Sequence, residues 1–149
     1  MGAVALPISG IIYLDAQAII YSVEKHARYE PMLRPLWIAL KAGSVRIVTS
    51  ELSLLEVLVG PYKSGDLALA SSYETLLGSQ GIAQIPIQAS VLKQAAQLKA
   101  QFGLRTPDAI HVATAIAAQC TSCVGNDAGF KRVAALNFVM LDDLLSASP

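Results

Sequence analysis

Charge is scarce in this chain. Asp, Glu, Lys and Arg make up 15% of its 149 residues, and eleven basic side chains balance eleven acidic ones. That balance excludes a global positive field able to hold a polyanion, so any nucleic-acid binding must rest on local patches or on a bound cation. Cysteine and histidine are scarcer still, with two of each: Cys120, Cys123, His26 and His111. A lone C-x-x-C lacks the second ligand pair of a structural zinc, and neither histidine stands at finger-like spacing. Cys120 and Cys123 close a helix and enter a strand, the reverse of a redox motif, and read as small buried hydrophobes. Long apolar spans are also missing, although mean hydropathy is +0.50. The eighteen residues from Ala109 to Asn126 carry no Asp, Glu, Lys or Arg, yet His111, Gln119, Thr121, Ser122 and Asn126 interrupt them. That segment reads as a buried helix and a strand, not a membrane span. The start, Met1-Gly2-Ala3-Val4-Ala5-Leu6, has no basic region and places Leu6 where myristoylation needs Ser or Thr. The expectation is one cytoplasmic domain over residues 1–149, away from membranes, with 54% hydrophobic residues to build its core.

What is present is an alternation of short β-branched runs with helical stretches. Strands are predicted at residues 11–15, 45–49, 82–87, 122–125 and 138–141. Helices are predicted at 16–24, 31–42, 50–59, 66–77, 90–102 and 107–119, with Gly43, Gly60-Pro61, Gly78 and Gly103 as stops. Such alternation implies an α/β fold, a three-layer α/β/α sandwich around a mostly parallel central sheet. Sites in such sheets form beyond the carboxyl ends of the strands.

Four acids stand against apolar runs: Asp15 after Ile11-Ile12-Tyr13-Leu14, Glu56 within Leu54-Leu55-Glu56-Val57-Leu58, Asp108 before Ala109-Ile110-His111-Val112, and Asp127 just past Cys123-Val124. Each alone has a plain structural reading. Asp15 can cap the helix that follows, Thr106 can cap a helix carrying Asp108 in its first turn, Glu56 can belong to a capping box with Ser53, and Asp127 can be a turn residue. Jointly they say more. Ionised carboxylates in apolar surroundings want a compensating charge, and on this reading the neighbouring sequence supplies none to each. Asp15 and Asp127 both arrive at the carboxyl edge of the sheet, and Glu56 and Asp108 come from helices bordering it. A hard divalent cation such as Mg²⁺ or Mn²⁺ suits an oxygen-only cluster of this kind, and phosphoryl transfer is the chemistry that uses one.

The ordered set Ile12-Tyr13-Leu14-Asp15, Ser50-Glu51-Leu52-Ser53-Leu54-Leu55-Glu56, Arg105-Thr106-Pro107-Asp108-Ala109-Ile110-His111-Val112-Ala113 and Gly125-Asn126-Asp127-Ala128-Gly129-Phe130 resembles the PIN-domain family, in particular VapC-type toxin ribonucleases. The resemblance spans nearly the whole chain. It implies Mg²⁺- or Mn²⁺-dependent RNA hydrolysis with Asp15, Glu56, Asp108 and Asp127 as metal-binding acids, an antitoxin protein as partner, and a homodimer. Two positions depart from the family pattern. Ala16-Gln17 stands where a Thr-Asn pair is usual, and Gly125 where Thr or Ser is frequent.

On this reading one or two divalent ions would activate water, orient it in line with the scissile phosphorus and stabilise the leaving oxygen. Lys25, Arg28, Arg105, Lys131 and Arg132 are candidates to extend positive potential toward RNA, and His111 is expected to pack or hydrogen-bond. Trp37, Leu36, Leu40, Tyr62, Leu67 and Tyr73 are candidates for an apolar groove that a partner protein would fill. Two rivals stand beside this reading. A non-catalytic PIN-like module binding RNA or protein is favoured by Ala16-Gln17. A HAD-like phosphatase needs a second acid where Gln17 stands, and only Asp142-Asp143 resembles its metal site.

Overall fold

The structure, a computed structural model, describes residues 6–146; residues 1–5, which carry most of the expectation about the N-terminus, lie outside them. Five strands, β1 (Gly10–Leu14), β2 (Val45–Ser50), β3 (Ile82–Ile85), β4 (Ser122–Gly125) and β5 (Phe138–Met140), form one sheet in the order β3-β2-β1-β4-β5. Every pairing is parallel, with Ile12 facing Ile47 of β2 on one side and Ser122 of β4 on the other. The sheet is thus wholly parallel.

Parallel strands need crossovers, and the helices that supply them cover both faces. Helices α1 (Ala16–Val23), α2 (Glu30–Lys41), α3 (Glu51–Ser64) and α4 (Leu67–Leu77) pack on one face, where Ile12 and Leu14 of β1 meet Ile19, Leu33, Leu36, Val57, Tyr73 and Leu77. On the other face, Tyr13, Val48 and Cys123 pack against Ala115 of α6 (Thr106–Ala117), and α5 (Ala89–Phe102) packs beside α6. A 3-10 turn (Ala128–Arg132) follows β4, and α7 (Leu141–Ser146) follows β5. The two-residue period of β1 sends Ile12 and Leu14 to one layer and Tyr13 to the other, and all three are fully buried.

The expected stop at Gly60-Pro61 is not where α3 ends. Pro61 has no N–H to give to the carbonyl of Val57, which ordinarily breaks a helix. Here Pro61 is buried, its carbonyl accepts from the Asp66 N–H at 2.9 Å and the Ser64 hydroxyl at 3.2 Å, and the helix closes at Gly65, whose φ of 73° suits a residue without a Cβ. The groove expectation divides as well. Leu36 and Tyr73 are core residues, whereas Tyr62 and Leu67 are exposed. Trp37 and Leu40 line a cavity of about 810 Å³ with Ile38 and Leu76, beside Val45 at the start of β2. Among the described residues no helix is long and apolar enough to cross a membrane.

Candidate active site

Strand order places the site. The chain runs from β1 to β2 to β3, then returns across β1 to lay β4 on its other side, so the crossovers diverge between β1 and β4. A crevice opens at that point beyond the carboxyl ends. It holds a cavity of about 490 Å³ lined by Asp15, Glu56, Asp108 and Asp127, together with Gln17, Arg105, His111 and Asn126. All four acids named from the sequence therefore line one cleft, each brought by a different element.

Each arrives for a local reason. Asp15 ends β1 and caps α1, its Oδ1 accepting from the Ala18 N–H at 2.9 Å. Gly125 of β4 lies against that carboxylate so closely that a Cβ there would collide with it. The missing Cβ of Gly125 is what lets Asp15 sit against β4. Ser50 caps α3 through the Leu52 N–H at 3.0 Å, which places Glu56 in the second turn. On α6 the cap is Arg105, whose side chain makes no capping bond to the backbone N–H groups of the first turn, and Thr106 is the first helical residue; the expected Thr106 cap is not made. Asp108 then lies in the first turn, close to the positive end of the helix dipole. Asp127 starts the 3-10 turn, its Oδ1 accepting from the Gly129 N–H at 2.8 Å.

Compensating charge is where the sequence reading needs correcting. Arg105 donates through Nε to Asp108 at 3.0 Å and through Nη2 to Asp127 at 2.5 Å, so two of the four acids share one guanidinium. The signal was in view, since Arg105 stands three residues before Asp108 on what becomes one helix turn. Lys131 and Arg132 are engaged elsewhere, with Asp143 at 2.8 Å and the Gly103 carbonyl at 3.0 Å. Asp15 has no Lys or Arg partner among the described ion pairs. Burial raises its pKa from the ordinary 3.8 to about 6, against the Ala18 and Asn126 backbone N–H groups, which pull it down.

His111 completes the other side. It is buried, with Nδ1 2.6 Å from the Tyr13 hydroxyl and Nε2 2.6 Å from Glu56 Oε1, and so links α6, β1 and α3. The hydrogen-bonding role expected for it is the one found; its partner Tyr13, behind the cleft, stands in the sequence only as part of an apolar run. The Gln17 amide turns toward the Tyr21 hydroxyl at 3.4 Å, which also accepts from Asn126 at 3.3 Å. Cys120 and Cys123 are free thiols, and burial pushes Cys120 up to about 11 and Cys123 well above its ordinary value, as befits packing residues.

As the side chains lie, no three His, Cys, Asp or Glu groups among the described residues stand close enough to share an ion. The donor chemistry nevertheless fits a hard divalent cation. Four carboxylates face one open cleft, two of them, Asp15 and Asp108, are buried, burial makes Asp15 reluctant to ionise, and a guanidinium already supplies positive charge to Asp108 and Asp127.

The PIN domain family model matches residues 12–136. The chain belongs to the PIN-domain family. Its fold is similar to several solved members of toxin–antitoxin systems. VapBC2 from Rickettsia felis, bound to a DNA fragment from its promoter, is 23% identical over 87% of this chain and 98% of that one, with a TM-score of 0.67. VapC20 of Mycobacterium tuberculosis, described as a toxin cleaving the sarcin–ricin loop, is 16% identical over 83% and 94%, with a TM-score of 0.68. A toxin–antitoxin complex from Klebsiella pneumoniae is 20% identical over 87% and 96%, with a TM-score of 0.64. At these identities the likeness speaks to the PIN fold. No curated protein sequence matches the chain.

Proposed function

We propose that this PIN domain is a Mg²⁺- or Mn²⁺-dependent endoribonuclease acting as the toxin of a toxin–antitoxin pair. The observation that carries the reading is the convergence of Asp15, Glu56, Asp108 and Asp127 on one cleft at the topological switch point of the sheet. These four acids would hold the cation. When bound, a divalent ion supplies Lewis acidity at phosphorus and a template for in-line displacement. The protein's own part is positioning and charge. Asp15 is fixed by the α1 cap, and Glu56 is fixed by His111. Arg105, on a side chain 71% exposed, stands at the rim where an RNA phosphate would approach. The antitoxin and a second copy of the chain are proposed partners. Leu55, Val59 and Tyr62, spaced along one face of α3, and Leu67 at the start of α4 leave apolar surface exposed for them.

A second reading has an observation of its own. Arg105 already neutralises Asp108 and Asp127, and such an arrangement suits a module that keeps the fold and binds without cutting. Incubating purified protein with RNA in Mg²⁺, in Mn²⁺ and in EDTA, alongside Asp108→Asn, separates the two. Cleavage that needs metal and disappears in Asp108→Asn supports the enzyme. RNA left intact by wild type in both metals supports the binding module, and cleavage that persists in the variant rules out this cleft as its source.

A further inference from the structure

We propose that His111 is the positioning residue for Glu56: the Tyr13 hydroxyl fixes its ring with the proton on Nε2, and that N–H holds the Glu56 carboxylate at the cleft wall. The proposal rests on the cleft being a cation site only for its consequence, not for its geometry.

The geometry gives the chain of hydrogen bonds a direction. The Ser50 backbone N–H donates to the Tyr13 oxygen at 3.1 Å. A phenol that accepts a bond still has its own proton to place, and Tyr13 is fully buried, with burial holding that proton on. His111 Nδ1 lies 2.6 Å from that oxygen, and in the proposed tautomer it takes the proton as acceptor. A ring nitrogen that accepts carries no hydrogen, so in this tautomer the ring proton sits on Nε2, 2.6 Å from Glu56 Oε1, and is donated there. Tyr13 and Phe130 meet the imidazole edge-on, with ring centres 5.8 Å and 6.3 Å away, and restrict its rotation.

The chain also closes on itself. Ser50 caps α3, and Glu56 lies on that same helix, so the bonds run from the start of α3 through β1 and α6 and return to α3 at Glu56 in its second turn. A partly exposed Glu on a helix would ordinarily sample several rotamers. Here its carboxylate is tied to a buried framework, the kind of orientation a metal-ligating carboxylate receives from an outer hydrogen bond.

The test reads tautomer and cation affinity separately. In ¹⁵N NMR of the wild type, His111 should show a bare Nδ1 and a protonated Nε2. Protonation at Nδ1, or at both nitrogens, overturns the proposal, and this readout needs no variant to fold. In Mn²⁺ titrations followed by calorimetry, His111→Leu and Tyr13→Phe should weaken binding about tenfold, whereas His111→Gln, whose amide N–H can reach Glu56, should stay within about threefold of wild type. Folded His111→Leu with wild-type affinity overturns it. If wild type holds no Mn²⁺, the proposed function of the cleft fails, and the Glu56 carboxyl ¹³C resonance decides the positioning role alone. It must shift in His111→Leu and return in His111→Gln, and an unmoved resonance overturns the proposal.

Discussion

The two walls of the cleft solve the same electrostatic problem differently. Asp108 and Asp127 share the guanidinium of Arg105, a side chain 71% exposed and able to swing away. Asp15 and Glu56 have no arginine partner among the described residues. Asp15 is buried and relies on the Ala18 N–H, and Glu56 relies on the imidazole of His111. Full charge neutralisation is therefore exchangeable on one wall, while dipoles and hydrogen bonds are built into the other. A cation entering the cleft would displace Arg105 from the first pair and would relieve the desolvation of Asp15 at the second.

Removing one acid from each wall should break the comparison most sharply. Asp15→Asn and Asp108→Asn are both expected to reduce metal-dependent cleavage to background. Their metal-free stabilities should diverge. Asn keeps the cap acceptor that Asp15 offers Ala18 while removing a buried charge, so Asp15→Asn should melt higher than wild type at pH 8. Asp108→Asn takes a carboxylate away from Arg105 and should not gain. Equal melting shifts in both variants, measured in EDTA, would mean the walls do not differ.

The same buried acid predicts a pH dependence. An unfolded Asp releases its proton near 3.8, whereas Asp15 in the fold releases it near 6. Between those values the native state holds more protons, so its stability should fall as pH rises through the window, by about 3 kcal/mol, and level off above it. Urea unfolding in EDTA from pH 3.5 to pH 8 measures this. Asp15→Asn should flatten the Asp15 contribution, and saturating Mn²⁺ should remove it. A wild-type slope that the substitution leaves unchanged would assign the titration to other groups.

Sequence periodicity revealed most of this frame because strand and helix patterns are local. The ends of β1 and β4, the caps at Asp15 and Ser50, and the four acids are local features too. What escaped was set by packing. Pro61 looks like a stop until its burial and the carbonyl bonds that close the helix are seen. Tyr13 sits in an apolar strand, where its ring reads as core; only the fold brings His111, 98 positions later, to its hydroxyl. Arg105 was legible as a neighbour of Asp108, but its bond to Asp127 spans 22 residues and depends on where β4 lies. Gly125 looked like a lost hydroxyl, and the fold gives it a use in making room for Asp15.

Arg105 offers a subtler test of the exchangeable wall. If it acts as a counter-ion that a metal must displace, Arg105→Gln should raise Mn²⁺ affinity about tenfold, a change of the size seen when groups bordering a metal site are altered. Calorimetry should find that gain without a change in stoichiometry. An affinity that falls in Arg105→Gln would mean that the guanidinium helps to assemble Asp108 and Asp127 for the ion instead of competing with it.

The smallest effect is expected at Ala16-Gln17, on the wall that Asp15 shares. Ala16 is buried as the first residue of α1, so a Thr there must find room in the core, and Ala16→Thr should cost about 1 kcal/mol. Gln17 is exposed at the cleft lining, and its amide donates to Tyr21 at 3.4 Å, a long bond with little to lose. Gln17→Asn shortens the stem and frees the amide from Tyr21 to orient a carboxylate or an incoming phosphate. Mn²⁺ affinity should rise by no more than about threefold in Gln17→Asn, with melting unchanged, and the gain should vanish when Asp15→Asn is added. If the gain persists without the Asp15 carboxylate, Gln17 acts through Asn126 and Tyr21 on the Asp127 side, and the two walls are coupled across the mouth of the cleft.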